Sequence, residues 1–386
     1  MAVFIVIGKN FGDEGKGLAT DYFAMRSEQS GRSAVVVRHN GGAQAGHTVD
    51  LHDSRFVFHE LSSGSFRHAD TYWTGTFLPD LYKLREELTE FLHAAGFVPG
   101  IFADGSARCV TILDVLMNQA LEYRRGDERH GSCGMGIDET VRRSDTEFVV
   151  RLSDICSYSA SELTDKLIFI RDNYIPVRLD QLGLTLKDLG RFKELFSDDI
   201  ILYNWSCEAV SGAGLVTLRS PDIIREYDDV IFEGAQGLLL DSENTRYAPH
   251  LTTSRTGLTN PVKMIRDLMP DEERDSEAVY VTRSYVTRHG NGPLPNESDI
   301  CFSDRTNMPN EWQGTIRFAH DLPWEQSVEP VRRDIEENEY KGRPSAFVTH
   351  LNEIDDNRFR AAYESSTPFA EDVVHIPYNT GSLLIK

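Results

Sequence analysis

Short apolar runs alternate with amphipathic stretches along this chain. Residues 3–7 form a continuous apolar run that ends at Gly8, and residues 34–37 form a second one. Runs without polar alternation are typical of strands buried on both faces of a parallel sheet. Later runs of the same character occupy residues 230–232, 279–281, 346–348 and 373–376. The pattern therefore predicts a mostly parallel central sheet.

Helical patterns lie between these runs. In residues 79–95, apolar side chains recur at helical spacing, with Pro79 near the start and Gly96 after the end, which predicts an amphipathic helix. Residues 18–25 also favour a helix, and residues 141–228 look mainly helical and irregular. The alternation predicts an α/β fold like that of P-loop NTPases, with helices flanking the sheet. We expect one domain over residues 1–386 with a helical insertion around 141–228.

Composition narrows the classes of function. The 386 residues include 40 Lys plus Arg and 61 Asp plus Glu, a net charge of -21, which disfavours nucleic acid as a partner. The five cysteines are widely spaced and suggest neither a zinc site nor a disulfide framework. Neither a signal peptide nor an apolar run near the roughly 20 residues of a membrane span is evident. We expect a soluble cytoplasmic protein that does not bind membranes.

Residues 12–17, Gly-Asp-Glu-Gly-Lys-Gly, follow the first predicted strand and predict a phosphate site. Glycines let backbone N–H groups approach an anion, and Lys16 supplies a charge next to a helix N-terminus. The segment is not a standard P-loop, because Asn10 and Gly17 replace its first glycine and its hydroxyl residue. Asp13 and Glu14 repel anions unless one of them binds a metal or removes a proton. The alternative is a tight turn with its charges in solvent.

A second polar segment, residues 39–48, follows the second predicted strand. Its glycines allow close approach of a ligand, and His47 places an imidazole beside it. A lone histidine is more often structural than catalytic, but the surrounding glycines favour a functional role. Because parallel strands end at one edge of the sheet, the two loops can face one ligand.

Several segments together resemble the adenylosuccinate synthetase family. Residues 12–17 and 45–48 (Ala-Gly-His-Thr) carry the resemblance first. Segments that agree with the family in the same order are residues 131–136, 232–241, 252–254 and 287–295. The resemblance spans nearly the whole chain. It implies a ligase that joins L-aspartate to C6 of a 6-oxopurine nucleoside monophosphate through a 6-phosphoryl intermediate, driven by a nucleoside triphosphate.

The resemblance also implies a role for each residue that matches a family motif. Asp13 would be the general base, His47 would stabilise the moving phosphoryl group and act as an acid, and Gln236 would position O6. The implied magnesium ligands are Asp13 and the Gly46 carbonyl. The implied triphosphate-binding residues are Gly12, Glu14, Gly15, Lys16, Gly17, Gly46, Thr48, Asn352, Thr380 and Gly381. The implied nucleotide-binding residues are Asp13, Gln44, Ser132, Cys133, Gln236, Thr252 and Arg142.

The resemblance further implies a homodimer with shared active sites, because the family's counterpart of Arg142 is donated by the partner subunit. Aspartate would be held by Thr315 and Arg317, which remain from a loop that is richer in arginine in the family. The family reads guanine with Thr-Lys-Leu-Asp, whereas residues 349–352 here are Thr-His-Leu-Asn. An amide has one donor and one acceptor and suits adenine better than guanine, unless Asn352 faces solvent.

These departures concern nucleotide recognition and leave Asp13, Lys16, His47 and Gln236 in place. They favour dGMP with ATP, the substrates of a side branch encoded by some phages, over IMP with GTP. Known members of that branch replace the aspartate by serine, so this chain looks intermediate. A nucleotide-binding regulator without ligase activity is the alternative from another class. A small-molecule kinase is disfavoured by the incomplete P-loop.

Overall fold

A ten-stranded sheet forms the centre of the computed structural model, which describes residues 1–126, 132–304, 314–354 and 361–377. The strands are β1 (Ala2–Gly8), β2 (Ala34–Arg38), β3 (His47–Leu51), β4 (Ser54–Phe58), β5 (Asp70–Trp73), β6 (Ile101–Ala103), β7 (Thr217–Leu218), β8 (Asp229–Gly237), β9 (Glu277–Arg283), β10 (Val286–His289), β11 (Ile316–Ala319), β12 (Arg343–Thr349), β13 (Tyr363–Glu364) and β14 (Val374–His375). The order in the sheet is β14-β13-β12-β9-β1-β8-β2-β5-β6-β7, and β3–β4 and β10–β11 form separate antiparallel hairpins.

Every pair in the large sheet is parallel except β13–β14. The predicted mostly parallel sheet is therefore confirmed. The apolar runs mark the centres of β1, β2, β8, β9 and β12. The run at residues 373–376 is an exception, because only Val374–His375 is a strand, exposed and antiparallel at the sheet edge.

Helices cover both faces of the sheet. They are α1 (Lys16–Gln29), α2 (Leu81–Ala95), α3 (Ile112–Arg125), α4 (Ile137–Ser144), α5 (Leu152–Ser157), α6 (Ala160–Asn173), α7 (Ile175–Gln181), α8 (Phe192–Phe196), α9 (Asp199–Ala213), α10 (Thr259–Leu268), α11 (Trp324–Ser327) and α12 (Glu329–Glu337). The α/β class is thus confirmed.

Two helices show how the sequence sets their ends. Helix α1 is longer than the predicted 18–25, because it begins directly at the end of the glycine-rich loop. Helix α2 begins at Leu81, where the Asp80 carboxylate accepts hydrogen bonds from the N–H groups of Tyr82 and Lys83. Such a cap satisfies donors that the first turn leaves open.

Residues 141–228 contain the end of α4, helices α5–α9 and the edge strand β7. Their apolar side chains join those of α2 and α3 in one buried cluster. That this segment is an insertion in a single domain stays a prediction. Within the described ranges, no helix combines the length and apolarity needed to cross a membrane.

The sheet topology decides where the loops meet. Strand β1 lies between β8 and β9, and β8 lies between β1 and β2. In this register Glu233 of β8 is level with Val6 on one side and Arg38 on the other. The loops that follow these parallel strands therefore all lie at the carboxyl ends of the strands. Ligands bind at this side of open α/β sheets.

Candidate active site

The glycines of the first loop lie where the chain has no room for a side chain. Gly12 and Gly15 adopt positive φ values of 120° and 97°. A Cβ on Gly15 would lie 3.0 Å from Cγ2 of Thr349, and one on Gly17 would lie 2.5 Å from the Thr48 carbonyl oxygen. The first loop is therefore packed directly against β12 and against the second loop.

Two charged side chains of this loop are buried within it. Lys16 is 2% exposed and donates to the Gly12 carbonyl, and burial lowers the pKa of its ammonium. Glu14, also 2% exposed, accepts from the Asn10 N–H through one carboxyl oxygen. Burial raises the pKa of Glu14 to about 7, although Lys16 opposes this shift. The Glu14 carboxylate thus links the end of the loop to its beginning at Asn10.

His47 forms a hydrogen bond with a buried carboxylate, that of Glu233. Its Nδ1 lies 2.8 Å from Oε1 of Glu233, which also accepts from the Ser63 hydroxyl and lies near the Arg38 guanidinium, with 3.7 Å between Arg38 Nε and Oε2. Burial by itself raises the pKa of Glu233, but His47, Arg38 and Ser63 together lower it to about 2. The carboxylate is therefore ionised at neutral pH.

Burial lowers the pKa of His47 to about 4 despite the carboxylate. The neutral ring donates its Nδ1–H to Glu233, which leaves the lone pair at Nε2. Nε2 is buried and has no hydrogen-bond partner among the described residues. It can therefore take up a proton when a negatively charged phosphoryl group arrives.

The second loop is bound to the end of β8 by an amide pair. The Asn40 side chain accepts from the Ala235 N–H at 2.8 Å and donates to the Ala235 carbonyl at 3.1 Å. Gln44 and Gln236 follow these residues, and a Cβ on Gly41 would lie 3.3 Å from Nε2 of Gln44 and 3.7 Å from Oε1 of Gln236. Both amide atoms lack a partner within the described part of the chain. These buried atoms therefore keep an unused hydrogen-bonding capacity, and neither glutamine is among the residues that line the large cavity described next.

A cavity of about 520 Å³ opens over these loops, which is within the usual range for ligand pockets. The predicted residues that line it are Gly12, Asp13, Glu14, Gly15, Lys16, Gly17, Gly46, His47, Thr48 and Asn352. Its lining also includes residues that the sequence did not single out, among them Arg55, Arg283, Asp304, His350, Glu353 and Phe369. The two glycine-rich loops and the loop that follows β12 thus surround a single cavity.

Other predicted residues lie outside this lining. The Ser132 hydroxyl donates to Asn118 at 2.9 Å, and burial raises the pKa of Cys133 to about 11, so its thiol stays neutral. Thr252 donates its N–H to the Leu240 carbonyl at 2.9 Å, near the turn that continues β8.

Three further predicted residues are exposed or partly exposed. Arg142 is exposed on α4 and donates to Asp138 of the same helix at 2.7 Å. Thr315 is exposed, and Arg317 of β11 donates to Glu297 at 2.9 Å and to the Gly292 carbonyl at 2.6 Å. Thr380 and Gly381 lie outside the described residues.

Sequence reasoning gave no role to Glu233 and Arg283. Glu233 is an acid inside an apolar strand, a signal that such a carboxylate has a buried partner. Arg283 ends the apolar strand β9, and its Nε donates to the Asp13 carbonyl. Both residues act on loops far away in sequence, so their partners were not visible locally.

The donors available for a metal are oxygens. No group of three or more His, Cys, Asp and Glu side chains that could hold a metal occurs in the described ranges. Asp13 and the exposed Gly46 both face the cavity. One carboxylate and one carbonyl beside a phosphate-binding loop fit Mg²⁺, which usually combines few protein ligands with phosphate oxygens and water.

Known proteins of one family are similar to this chain. The adenylosuccinate synthetase family model matches residues 5–316. The adenylosuccinate synthetase of Acaryochloris marina is 29% identical over 309 residues, which cover 77% of this chain. That match spans 63% of the relative's own length.

Two solved structures share the fold. The fully ligated adenylosuccinate synthetase of Plasmodium falciparum has a TM-score of 0.64 at 18% identity and covers 91% of this chain and 77% of that one. The succinoaminodeoxyadenylate synthetase of cyanophage S-2L, bound to dGMP and to dATP as an energy donor, has a TM-score of 0.63 at 15% identity. It covers 98% of this chain and 96% of that one.

Proposed function

Because this chain belongs to the adenylosuccinate synthetase family, we propose that it joins L-aspartate to C6 of a 6-oxopurine nucleoside monophosphate at the expense of a nucleoside triphosphate. The observation that carries the proposal is the meeting of Asp13, Lys16 and His47 in one cavity, with His47 supported by buried Glu233. A nucleotide-binding regulator would need a phosphate cradle, but it would not need a supported imidazole and a carboxylate beside it.

In the first step, the Asp13 carboxylate removes the proton from N1 of the purine, and the electron pair moves to O6. O6 then forms a bond to the terminal phosphorus of the triphosphate, and the bond to the bridging oxygen breaks, which releases the nucleoside diphosphate. Lys16 and the protonated His47 stabilise the charge that develops on the phosphoryl group. The Gln236 amide orients O6.

In the second step, the neutral amine of aspartate attacks C6, and the bond between C6 and O6 breaks. Phosphate leaves with O6 and takes up the proton that the amine nitrogen loses. This order makes chemical sense, because an oxygen bound to phosphate is a much better leaving group than a carbonyl oxygen. Thr315 and Arg317 are the proposed aspartate ligands, since a guanidinium can bind a carboxylate through two parallel hydrogen bonds. Arg317 would first have to release Glu297.

Asp13 and the Gly46 carbonyl would hold Mg²⁺ together with oxygens of the triphosphate. The metal would supply charge neutralisation on the phosphates. No proton transfer in the two steps is assigned to the metal.

Within this reaction class we assign dGMP as the nucleotide and ATP as the energy donor. Asn352 replaces the aspartate that reads guanine in the family, and its exposed side chain faces the cavity. The cyanophage protein with a similar fold is described with dGMP and dATP, which supports this choice. IMP with GTP is the second candidate, favoured by the names of the curated relatives.

A homodimer with shared sites is part of the proposal. In this chain Arg142 is exposed, and its guanidinium bonds to Asp138 of the same helix. Its guanidinium is therefore accessible to a second subunit, where it would bind the 5′-phosphate of the substrate.

Phosphate release by the purified chain tests the proposal. Four mixtures contain aspartate and Mg²⁺ with dGMP or IMP and with ATP or GTP, and mass spectrometry identifies the product. We expect the aspartate adduct of dGMP to form with ATP. Turnover of IMP but not dGMP would overturn the substrate assignment. Nucleotide binding without turnover in any mixture would instead favour the regulator.

The variant Asp13→Ala provides the matching control. We expect it to bind nucleotide and to form no product, because the carboxylate that removes the N1 proton is gone. If this variant forms product at the wild-type rate, Asp13 has no part in the mechanism.

A further inference from the structure

The peptide that carries Asp13 is held from outside its own loop. The Asp13 carbonyl accepts a hydrogen bond from Nε of Arg283, at the end of β9, and lies 3.5 Å from the Thr287 hydroxyl of β10. This carbonyl belongs to the peptide between Asp13 and Glu14. Its orientation therefore sets the backbone angle ψ of Asp13, and with it the placement of the Asp13 carboxylate relative to Lys16.

Arg283 is itself fixed on every side of its guanidinium. It is 5% exposed, and its NH1 donates to the Tyr285 hydroxyl at 3.1 Å while its NH2 bonds to Asp304 at 3.0 Å. The three nitrogens thus point in three directions, to three different elements of the chain. A planar guanidinium can do this, whereas a lysine ammonium cannot reach all three acceptors from one position.

The network continues to the far end of the cavity. The Tyr285 hydroxyl donates to the carboxylate of Glu353, which lines the cavity one residue after Asn352. The Tyr285 ring stacks on Phe302 with 4.6 Å between centroids. Glu353, at the same end of the cavity as Asn352, therefore holds Tyr285, and Tyr285 in turn holds Arg283.

We propose that Arg283 is a positioning residue that holds the Asp13 carboxylate in its productive direction, and that Tyr285 and Glu353 keep Arg283 in place. This inference rests on the proposed function, because it concerns the base of that reaction. Arg283 need not touch a substrate for this role. It acts through the backbone of Asp13, whose misplacement by about 1 Å can slow an enzyme by roughly a hundredfold.

The test compares Arg283→Lys and Arg283→Met with Arg266→Lys. Arg266 is a matched control, since its guanidinium also bonds to a carboxylate and to backbone carbonyls, namely Glu273 and the carbonyls of Asn338 and Glu339. We expect kcat to fall roughly tenfold in Arg283→Lys and roughly a hundredfold in Arg283→Met, with KM for both nucleotides within about threefold of wild type. Arg266→Lys keeps the wild-type kcat.

Positional isotope exchange in the triphosphate, measured with the monophosphate and without aspartate, reports the phosphoryl-transfer step alone. We expect its rate to fall with kcat in the Arg283 variants, because Asp13 acts in that step. A drop in activity that only follows the unfolded fraction in thermal melts would overturn the proposal. So would a wild-type exchange rate in Arg283→Lys.

Two milder variants keep the test informative if Arg283→Met does not fold. Tyr285→Phe retains the ring and removes the hydroxyl that joins Arg283 to Glu353, and Thr287→Val removes the second donor near the Asp13 carbonyl. Each should lower kcat in the same direction by roughly threefold to tenfold. If the wild-type chain turns over no purine monophosphate, the proposed function fails. If it turns over substrate and these variants do too at full rate, only the role of Arg283 fails.

Discussion

The two ends of the large cavity are held in different ways. At the phosphate end, Lys16, His47 and Glu233 are at most 5% exposed, and a side chain on Gly17 would collide with the Thr48 carbonyl. At the other end, Asn352 is exposed on a loop. The groups to which we assign the chemistry thus lie beside the ends of buried strands. The group to which we assign recognition of the triphosphate's base lies where the sequence can change without disturbing the core.

This contrast predicts the largest loss of activity at the phosphate end. In His47→Gln, no ring nitrogen remains to take up a proton beside the phosphoryl group, so we expect kcat to fall roughly 10²- to 10⁴-fold. Single-turnover phosphate release measures this loss, and calorimetry checks that the triphosphate still binds. A variant with more than a tenth of wild-type activity would remove His47 from acid–base chemistry.

The variant Glu233→Gln should show that the phosphate end of the cavity contributes more to the stability of the fold than the exposed end. The change leaves the Arg38 guanidinium, which is 0% exposed, without its anionic partner. We expect the free energy of unfolding to fall by about 3–5 kcal/mol, as in other broken buried pairs. Denaturant unfolding measures it, with Asn352→Ala as the control, for which we expect a change within about 0.5 kcal/mol. Equal losses in both variants would contradict the contrast.

A pH titration should show that the core below the phosphate end excludes water. His39 is 1% exposed, and burial lowers its pKa to about 3. The unfolded chain, with a histidine pKa of about 6.5, takes up the proton first as the pH falls, so folding loses stability below about pH 6.5.

His39→Phe removes this loss. Relative to wild type, we expect the variant to gain about 1 kcal/mol between pH 6.5 and 5.5 in denaturant unfolding. His93→Phe, at an exposed position of α2, is the control. A constant difference between His39→Phe and wild type across this pH range would show that His39 is charged or hydrated in the folded protein.

We expect the smallest effect for a substitution at the exposed end of the cavity, where Asn352 lies. Asn352→Asp replaces the amide donor by a second acceptor, so the ratio of kcat/KM for GTP to that for ATP should rise about tenfold, since a paired base contact is worth about 1–3 kcal/mol. The unfolding free energy should stay the same. Asn173→Asp on α6 is the control. An unchanged ratio would mean that another residue reads the base.

The sequence reveals elements that are defined locally and misses those defined by distant partners. The apolar runs mark β1, β2, β8, β9 and β12, and Pro79, Asp80 and Gly96 bound α2. The hairpins β3–β4 and β10–β11 were not predicted, because their short strands mix polar and apolar residues without a clear period.

The site shows the same division. Asp13, Lys16 and His47 lie in glycine-rich segments that can be recognised from the local sequence alone. The bond from His47 to Glu233 joins residues 186 positions apart, and the bond from Arg283 to Asp13 joins residues 270 apart. Neither is visible in a local pattern, since only the order of strands in the sheet brings these residues together.

That strand order also has a consequence for synthesis on the ribosome. Strand β1 carries the first phosphate loop, yet its two neighbours in the sheet are β8 and β9, which begin at Asp229 and Glu277. Its hydrogen-bonding edges therefore stay open until most of the chain has left the exit tunnel. The segment from α2 to α9 can collapse earlier, because its apolar contacts are nearer in sequence. The nascent protein thus completes its large cavity late, and the edges of β1 are open to wrong pairing until then.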